Sequence, residues 1–189
     1  SKIIILHLGW IHDVMDSYNL SKSTLNWPKN IHLILHERMK RDKLDDYISK
    51  ILKLNSLNIT LSLNPVDYNE LDYLISSSDI GIVIYNTEGY GSMWDNIEKA
   101  SGKIADYLAL GKPVICSNFE GFRKLLESYH CGFIFEDLQD IPSLITRIVS
   151  DYDNISSNAL KCFKSEFEFN KFFSKVDKSM LGLNYNDRI

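Results

Sequence analysis

Short apolar runs rich in β-branched residues alternate along this chain with longer stretches whose apolar positions recur every three or four residues. That exchange of a two-residue for a 3.6-residue period predicts a parallel sheet joined by crossover helices. Six strands are predicted, over 3–8, 31–35, 58–63, 80–85, 113–116 and 132–135. Helical patterns lie near 14–26, 42–54, 67–77, 99–110, 120–129 and 140–151, the clearest placing Leu44, Ile48, Ile51 and Leu52 on one side. Six strands with five crossovers make a complete doubly wound sheet, expected in the order 3-2-1-4-5-6 with helices on both faces. After Asp151 the pattern is helical with no further strand, and Phe163, Phe167, Phe172 and Phe173 give the tail over about 155–180 an aromatic character. No repeat, low-complexity tract or Pro/Gly-rich linker marks a boundary, so residues 1–189 read as a single domain.

In a doubly wound sheet a ligand sits beyond the carboxyl ends of the strands where strand order reverses, here between the first and the fourth. The rule selects Gly9, Trp10 and His12 after the first strand, Tyr85 and Asn86 after the fourth, and the segment from Glu98 to Asp106 that follows. A helix beginning near Ala100 turns its free N–H groups outward, and Ser101 and Gly102 leave that start uncrowded, which suits an anion such as a diphosphate. Lys103 is the nearest cation. At roughly 1.5 Å per residue, Asp106 lies about 9 Å beyond the helix start, the reach from a diphosphate to a ribose whose hydroxyls a carboxylate can accept. Ile104 and Leu108 then turn inward, and a plain surface pairing of Lys103 with Asp106, three apart on one face, is the alternative.

Glu98, seven residues, and then Asp106-Tyr107-Leu108-Ala109-Leu110-Gly111-Lys112-Pro113-Val114 resembles the signature of the C-terminal, donor-binding domain of GT-B glycosyltransferases of the retaining group 1 (family 4) type. That signature is two acidic residues with seven between them, followed by A-x-G-K-P-V. Ile4 to Gly9 resembles the first strand and its glycine, Ser78-Asp79-Ile80-Gly81-Ile82 a later strand entry, and Glu120-Gly121 and Cys131-Gly132-Phe133 fall at later landmarks. The resemblance implies a Rossmann-like domain that binds a nucleotide diphosphate sugar for retaining, metal-free transfer of a hexosyl group in polysaccharide or glycolipid synthesis. It implies that Glu98 holds donor-sugar hydroxyls at the catalytic centre and Asp106 the ribose. Ala100, Ser101, Gly102 and Lys103 would receive the diphosphate, Gly9 and Trp10 would line its approach, and Pro65 and Val66 would border the base. The acceptor domain would be a missing N-terminal half, toward which the tail crosses back, so the chain alone is expected to bind donor with little or no transfer.

Two departures stand out. Where many family members carry Arg after the glycine and Lys five residues later, this chain has Trp10 and Met15, and Asp106 replaces the usual Glu. The missing clamp supports a second reading, a degenerate non-catalytic binding module; a GT-B-shaped nucleotide-sugar epimerase is a third. Gly111-Lys112-Pro113 lacks the rest of a phosphate loop and reads as a turn with Lys112 in solvent. Glu88-Gly89-Tyr90-Gly91 reads as a loop flanking the pocket, His7 and His32 as core or edge residues, and His12 as the one histidine near chemistry.

Composition narrows the class further. With 25 acidic against 21 basic residues the net charge is −4, and no basic stripe interleaved with aromatics points to nucleic acid. Cys116, Cys131 and Cys162 have neither metal-ligand nor disulfide spacing and are expected as buried, reduced thiols. No apolar run reaches the ~20 residues of a membrane span. The expectation is a cytoplasmic domain, peripheral at the inner face of the membrane only through the other half of the enzyme. Ser1 in place of an initiator Met suggests an excised fragment.

Overall fold

In the computed structural model, which describes residues 2–86, 97–170 and 173 with the side chains at 98 and 99 aside, the run IIILHLG forms β1 (Ile3–Gly9) at the centre of the sheet. The chain continues through α1 (Ser17–Ser23), β2 (Ile31–Glu37), α2 (Asp46–Leu52), β3 (Ile59–Ser62), α3 (Leu71–Ser76) and β4 (Ile80–Val83). Then follow α4 (Ile97–Ala100), α5 (Gly102–Ala109), β5 (Val114–Ser117), α6 (Glu120–Tyr129), β6 (Gly132–Phe135), α7 (Ile141–Ser150) and α8 (Tyr152–Glu166). The six strands are parallel and ordered β3-β2-β1-β4-β5-β6, the topology expected from the sequence.

The period-2 alternation of each strand sends its side chains into two cores. Ile5, Leu33, Leu35, Ile80, Ile82 and Ile115 face α1, α2 and α7. Leu6, Leu8, Val83, Val114 and Cys116 face α3, α5, α6 and α8. Helix α8 joins the two, giving Ile155 to the first core and Ala159 and Cys162 to the second. Cys116, Cys131 and Cys162 are buried free thiols, as expected.

Local chemistry moved several boundaries. Helix α2 starts only at Asp46 because Asp45 caps it, its carboxylate accepting the N–H groups of Tyr47 and Ile48 at 3.0 and 3.1 Å. Leu44 therefore lies outside the helix and exposed, and of the predicted stripe only Ile48 and Ile51 are buried. The helix expected over 99–110 is two helices, broken at Ser101, whose backbone is extended (φ −81°, ψ 96°). Lys112 is not in solvent: its ammonium donates to the carbonyls of Ser76 and Ser78 at 3.0 and 2.6 Å, tying the turn before β5 to the end of α3. The tail, followed as far as its described residues go, packs Phe163 and Phe167 on the second core, while Phe172 lies outside them.

The junction of β1 with β4 shapes everything above it. At its lower end Asp79 ties the strands, its carboxylate accepting the Ile4 N–H at 2.7 Å and its own N–H donating to the Ile4 carbonyl at 2.9 Å. The ladder then holds only Ile5 to Ile80 and Leu6 to Gly81. Beyond it, β4 is replaced by the buried phenol of Tyr107 on α5, which accepts the Leu8 N–H at 2.9 Å and donates to the Leu6 carbonyl at 2.6 Å. The ring needs Gly81 beneath it, because a Cβ there would come within 2.4 Å of the ring. Burial holds the phenol far above its usual pKa, so it stays a donor.

Tyr107→Phe removes the hydroxyl and strands a buried N–H and a buried carbonyl, each worth about 1–3 kcal/mol. Urea unfolding of this variant is expected to show a loss of at least about 2 kcal/mol. A loss under about 0.5 kcal/mol would mean that the strands close on each other without the phenol.

Candidate functional site

Above the Tyr107 hydroxyl, β1 and β4 diverge into a crevice at the topological switch point. Strand β1 ends there at Gly9, whose φ of +116° lies where side-chain-bearing residues are strained. A Cβ on Gly9 would stand 3.5 Å from Cδ and 3.7 Å from Nζ of Lys103. Lys103 lies four residues before Tyr107 on α5, so the two share a helix face; Tyr107 fills the lower gap and Lys103 the upper. The ammonium sits 4.6 Å from the centre of the Tyr85 ring and 3.2 Å from Sδ of Met15. No carboxylate pairs with it among the described residues. Burial, and then the charge of Arg38, hold its pKa down to about 8.

Tyr85 forms the floor. Its N–H donates to Ser117 Oγ at 3.0 Å, its ring packs against Phe119 and Phe122, and its hydroxyl lies 3.0 Å from Ser101 Oγ. Buried Ser101 spends its side chain there and gives α5 no side-chain cap. Gly102 opens the helix on the surface, and a Cβ there would meet nothing within 4 Å. Ala100 is exposed at the end of α4.

The loop after Gly9 is held by Glu37, the last residue of β2 and level with Gly9 in the sheet. Its fully buried carboxylate accepts the N–H groups of Ile11 and Arg38 at 3.0 and 2.9 Å and lies 3.5 Å from the Arg41 guanidinium. Between those anchors Trp10 stacks on His12 with ring centres 4.0 Å apart, and His12 stacks in turn on Tyr47 at 5.7 Å. His12 Nδ1 accepts the Val14 N–H at 3.3 Å, so this histidine shapes the loop. The Arg38 guanidinium carbon stands 5.7 Å from the Trp10 ring centre on a side chain that extends into solvent. His32 bonds Thr60 at an edge, at 2.8 Å, and His7 is fully buried in the core.

Of the residues singled out in the sequence, Gly9, Trp10, Ser101, Gly102 and Lys103 gather around this crevice. Asp106 does not pair with Lys103; it is half-buried, and burial together with Asp72 of α3 raises its pKa. Pro65 is exposed and Val66 half-buried in the loop after β3, at the sheet edge, with β2 between them and β1. The side chain of Glu98 and the segment Glu88 to Gly91 lie outside the described residues. Tyr85 also borders a polar hollow of about 600 Å³ over the ends of β4, β5 and β6, lined by Asp13, Asp16, Ser117, Asn118 and Glu136. Arg123 stands beside that hollow, pairing with Glu136 at 2.9 Å and bonding Asn118. Among the described residues no cluster of His, Cys, Asp or Glu could hold a metal, and no helix is long and apolar enough to cross a membrane.

Sequence reasoning missed Tyr107, Glu37 and Arg38. The signal for the last two was the polar run Glu37-Arg38-Met39-Lys40-Arg41 at the end of the strand expected beside β1.

Comparison with known proteins adds a family. The family model for the glucosyltransferase 3-like C-terminal domain matches residues 64–178. Among solved structures, HepE from Anabaena, in complex with UDP-glucose, matches with a TM-score of 0.72 and 17% identity over 97% of this chain and 50% of its own. Sucrose-phosphate synthase from Thermosynechococcus elongatus matches at 0.69 and 16%, over 96% of this chain and 46% of its own. The C-terminal domain of the group 1 glycosyltransferase LpcC from Francisella tularensis matches at 0.64 and 15%, over 88% and 87%. At these identities the likeness is one of fold, that of a GT-B C-terminal domain, and the chain spans about half the length of HepE. No curated protein matches by sequence.

The depressed pKa of Lys103 sets a pH dependence. Between about 8 and its unfolded value of 10.5 the unfolded chain holds more protons at this site than the folded one, so folding grows more favourable as pH rises through that window. Lys103→Met removes a burial penalty on the order of 3 kcal/mol that is fully present below pH 8. Urea unfolding is expected to find this variant more stable than the parent at pH 7, by a margin that shrinks toward pH 10; a margin independent of pH contradicts the assignment.

Proposed function

This chain belongs to the glucosyltransferase 3-like C-terminal domain family, and from that premise we propose that it holds the nucleotide diphosphate sugar of a GT-B glycosyltransferase, its diphosphate seated over Lys103 between β1 and β4. The observation that carries this reading is the buried Lys103 ammonium, paired with no carboxylate among the described residues and pressed against a left-handed Gly9 at the switch point. Keeping a charge there uncompensated is costly, and a diphosphate supplies the missing anion. The free N–H groups in the first turn of α5, beside the open surface at Gly102, add donors for the same anion. As the bond between sugar and diphosphate breaks, charge grows on the leaving phosphate, and these donors and Lys103 stabilise it.

The remaining roles extend the same reading. Glu98 holds sugar hydroxyls at the catalytic centre, on the strength of its register with Asp106 alone. Asp106 reaches the ribose, directly or through water, and Pro65 and Val66 border the base. Retention of configuration without a metal, a hexosyl donor and a product in polysaccharide or glycolipid synthesis follow from the family resemblance. UDP-glucose, the ligand bound to HepE, is the first donor to try. Because the chain spans half of HepE, we assign acceptor binding to a companion half and expect this domain alone to bind donor without appreciable transfer. Three buried thiols fit a cytoplasmic place.

A second reading, a binding module without catalysis, draws on the absent clamp. Against it stands Met15: at the position where the family carries a lysine, its sulfur touches Nζ of Lys103, so a lysine arrives from α5 instead.

Thermal unfolding with UDP, UDP-glucose, GDP and ADP tests the proposal. A ligand at 100 times its dissociation constant stabilises by about 2.7 kcal/mol. One nucleotide family is expected to protect the parent chain; Lys103→Met and Gly102→Ala are expected to fold and to lose that protection, the latter because its methyl occupies the diphosphate's approach. Absence of protection by every nucleotide, or undiminished protection of Lys103→Met, overturns it.

A further inference from the structure

We infer that Arg38 is the second cation of the diphosphate site, reaching the crevice from the end of β2 and gripping, with Lys103, the two phosphates of one nucleotide. The inference rests on the donor-binding reading above and adds a residue that the family signature does not contain. Three placements support it. In the sheet Gly9 is level with Glu37, so Arg38 leaves β2 one residue beyond the glycine of the crevice. Its guanidinium carbon stands 5.7 Å from the ring centre of Trp10, the residue directly after Gly9, within cation–π range. Its side chain forms no ion pair among the described residues, because the neighbouring carboxylate of Glu37 is taken up by the N–H groups of Ile11 and Arg38 and by Arg41.

Two cations thus stand beside Gly9 and Trp10 from different elements, Lys103 from α5 and Arg38 from the end of β2, with no anion paired to either among the described residues. Their mutual repulsion is felt at Lys103, whose pKa Arg38 helps to depress. An anion carrying two phosphates reverses that repulsion. The chemistry is divided sensibly between them: a guanidinium offers a planar fork matched to phosphate oxygens, and a buried ammonium offers a compact point charge. Trp10 acquires a role as well. It stands where family members carry arginine, and its ring holds an arginine delivered from the adjacent strand.

The test is calorimetric titration of the whole chain with UDP, GDP and ADP, each against its monophosphate, for the parent, Arg38→Gln, Arg38→Lys, Lys103→Met and the double variant. Arg38→Gln is expected to weaken the bound diphosphate about tenfold or more and its monophosphate less than about threefold, with Arg38→Lys recovering part of the loss. The double variant is expected to lose less than the two single losses combined, for the diphosphate only. Unliganded Arg38→Gln is expected to melt with the parent, since the side chain is exposed and forms no ion pair among the described residues. Diphosphate binding by Arg38→Gln equal to the parent, or equal losses for mono- and diphosphate, overturns the role of Arg38. If Lys103→Met loses binding while Arg38→Gln binds as the parent does, the donor site stands and Arg38 falls; if the parent binds no nucleotide, both fall.

Discussion

One phenol decides where this fold opens. In a doubly wound sheet the switch point lies beyond the carboxyl ends of the central strands, where ligands bind. Here Tyr107 takes over the Leu6 carbonyl and the Leu8 N–H at 2.6 and 2.9 Å, so β1 keeps its hydrogen bonds while β4 is released. The arrangement needs Gly81 below the ring and a helix that brings Tyr107 down onto the sheet, and it depends on the phenol being protonated. Asp79 and Lys112 brace the opposite end, one across the strands and the other to the end of α3, so the divergence is confined to the upper half.

Helical geometry then links structure to chemistry. Lys103 stands one turn before Tyr107, so whatever fixes the phenol between β1 and β4 also delivers the ammonium to Gly9. The site is made by subtraction as much as by placement: no Cβ at Gly9, none at Gly102, no side-chain cap on α5, and no carboxylate beside Lys103 among the described residues. Each omission leaves charge or backbone donors unsatisfied in the free domain and available to an anion. The domain is therefore least comfortable at the point proposed to bind donor, the usual relation between local stability and function.

The sheet order was legible because strand periodicity and crossover lengths leave few right-handed topologies. Gly9, Trp10 and the Ser101 to Lys103 segment followed from the switch-point rule and lie around one crevice, while Ala100 is exposed at the end of α4. What escaped had physical reasons. The break at Ser101 was hidden because its side chain prefers the Tyr85 hydroxyl, a tertiary contact with no local signature. Tyr107 was named only within the motif and given no role, since sequence does not reveal which buried tyrosine finds strand backbone. Lys112 looked solvated until the carbonyls of Ser76 and Ser78 were seen beside it. Arg38 sat outside every motif, because it reaches the crevice through strand order and not through spacing. For Asp106 the alternative of a surface pairing with Lys103 is not what the structure shows, since the residue is half-buried and feels the charge of Asp72 of α3.

The central claim is that a diphosphate binds by compensating the buried charge of Lys103, and proton uptake on binding tests it most directly. At pH 8.5 an ammonium whose pKa is held at about 8 is mostly neutral, and an adjacent diphosphate draws the proton back. Titration with a nucleoside diphosphate in buffers of different ionisation enthalpy should show uptake of a substantial fraction of one proton at pH 8.5, falling toward none near pH 6 on the lysine's account and absent at pH 8.5 in Lys103→Met. Binding without proton uptake at pH 8.5, or with the same uptake in Lys103→Met, would place the diphosphate elsewhere and contradict the account.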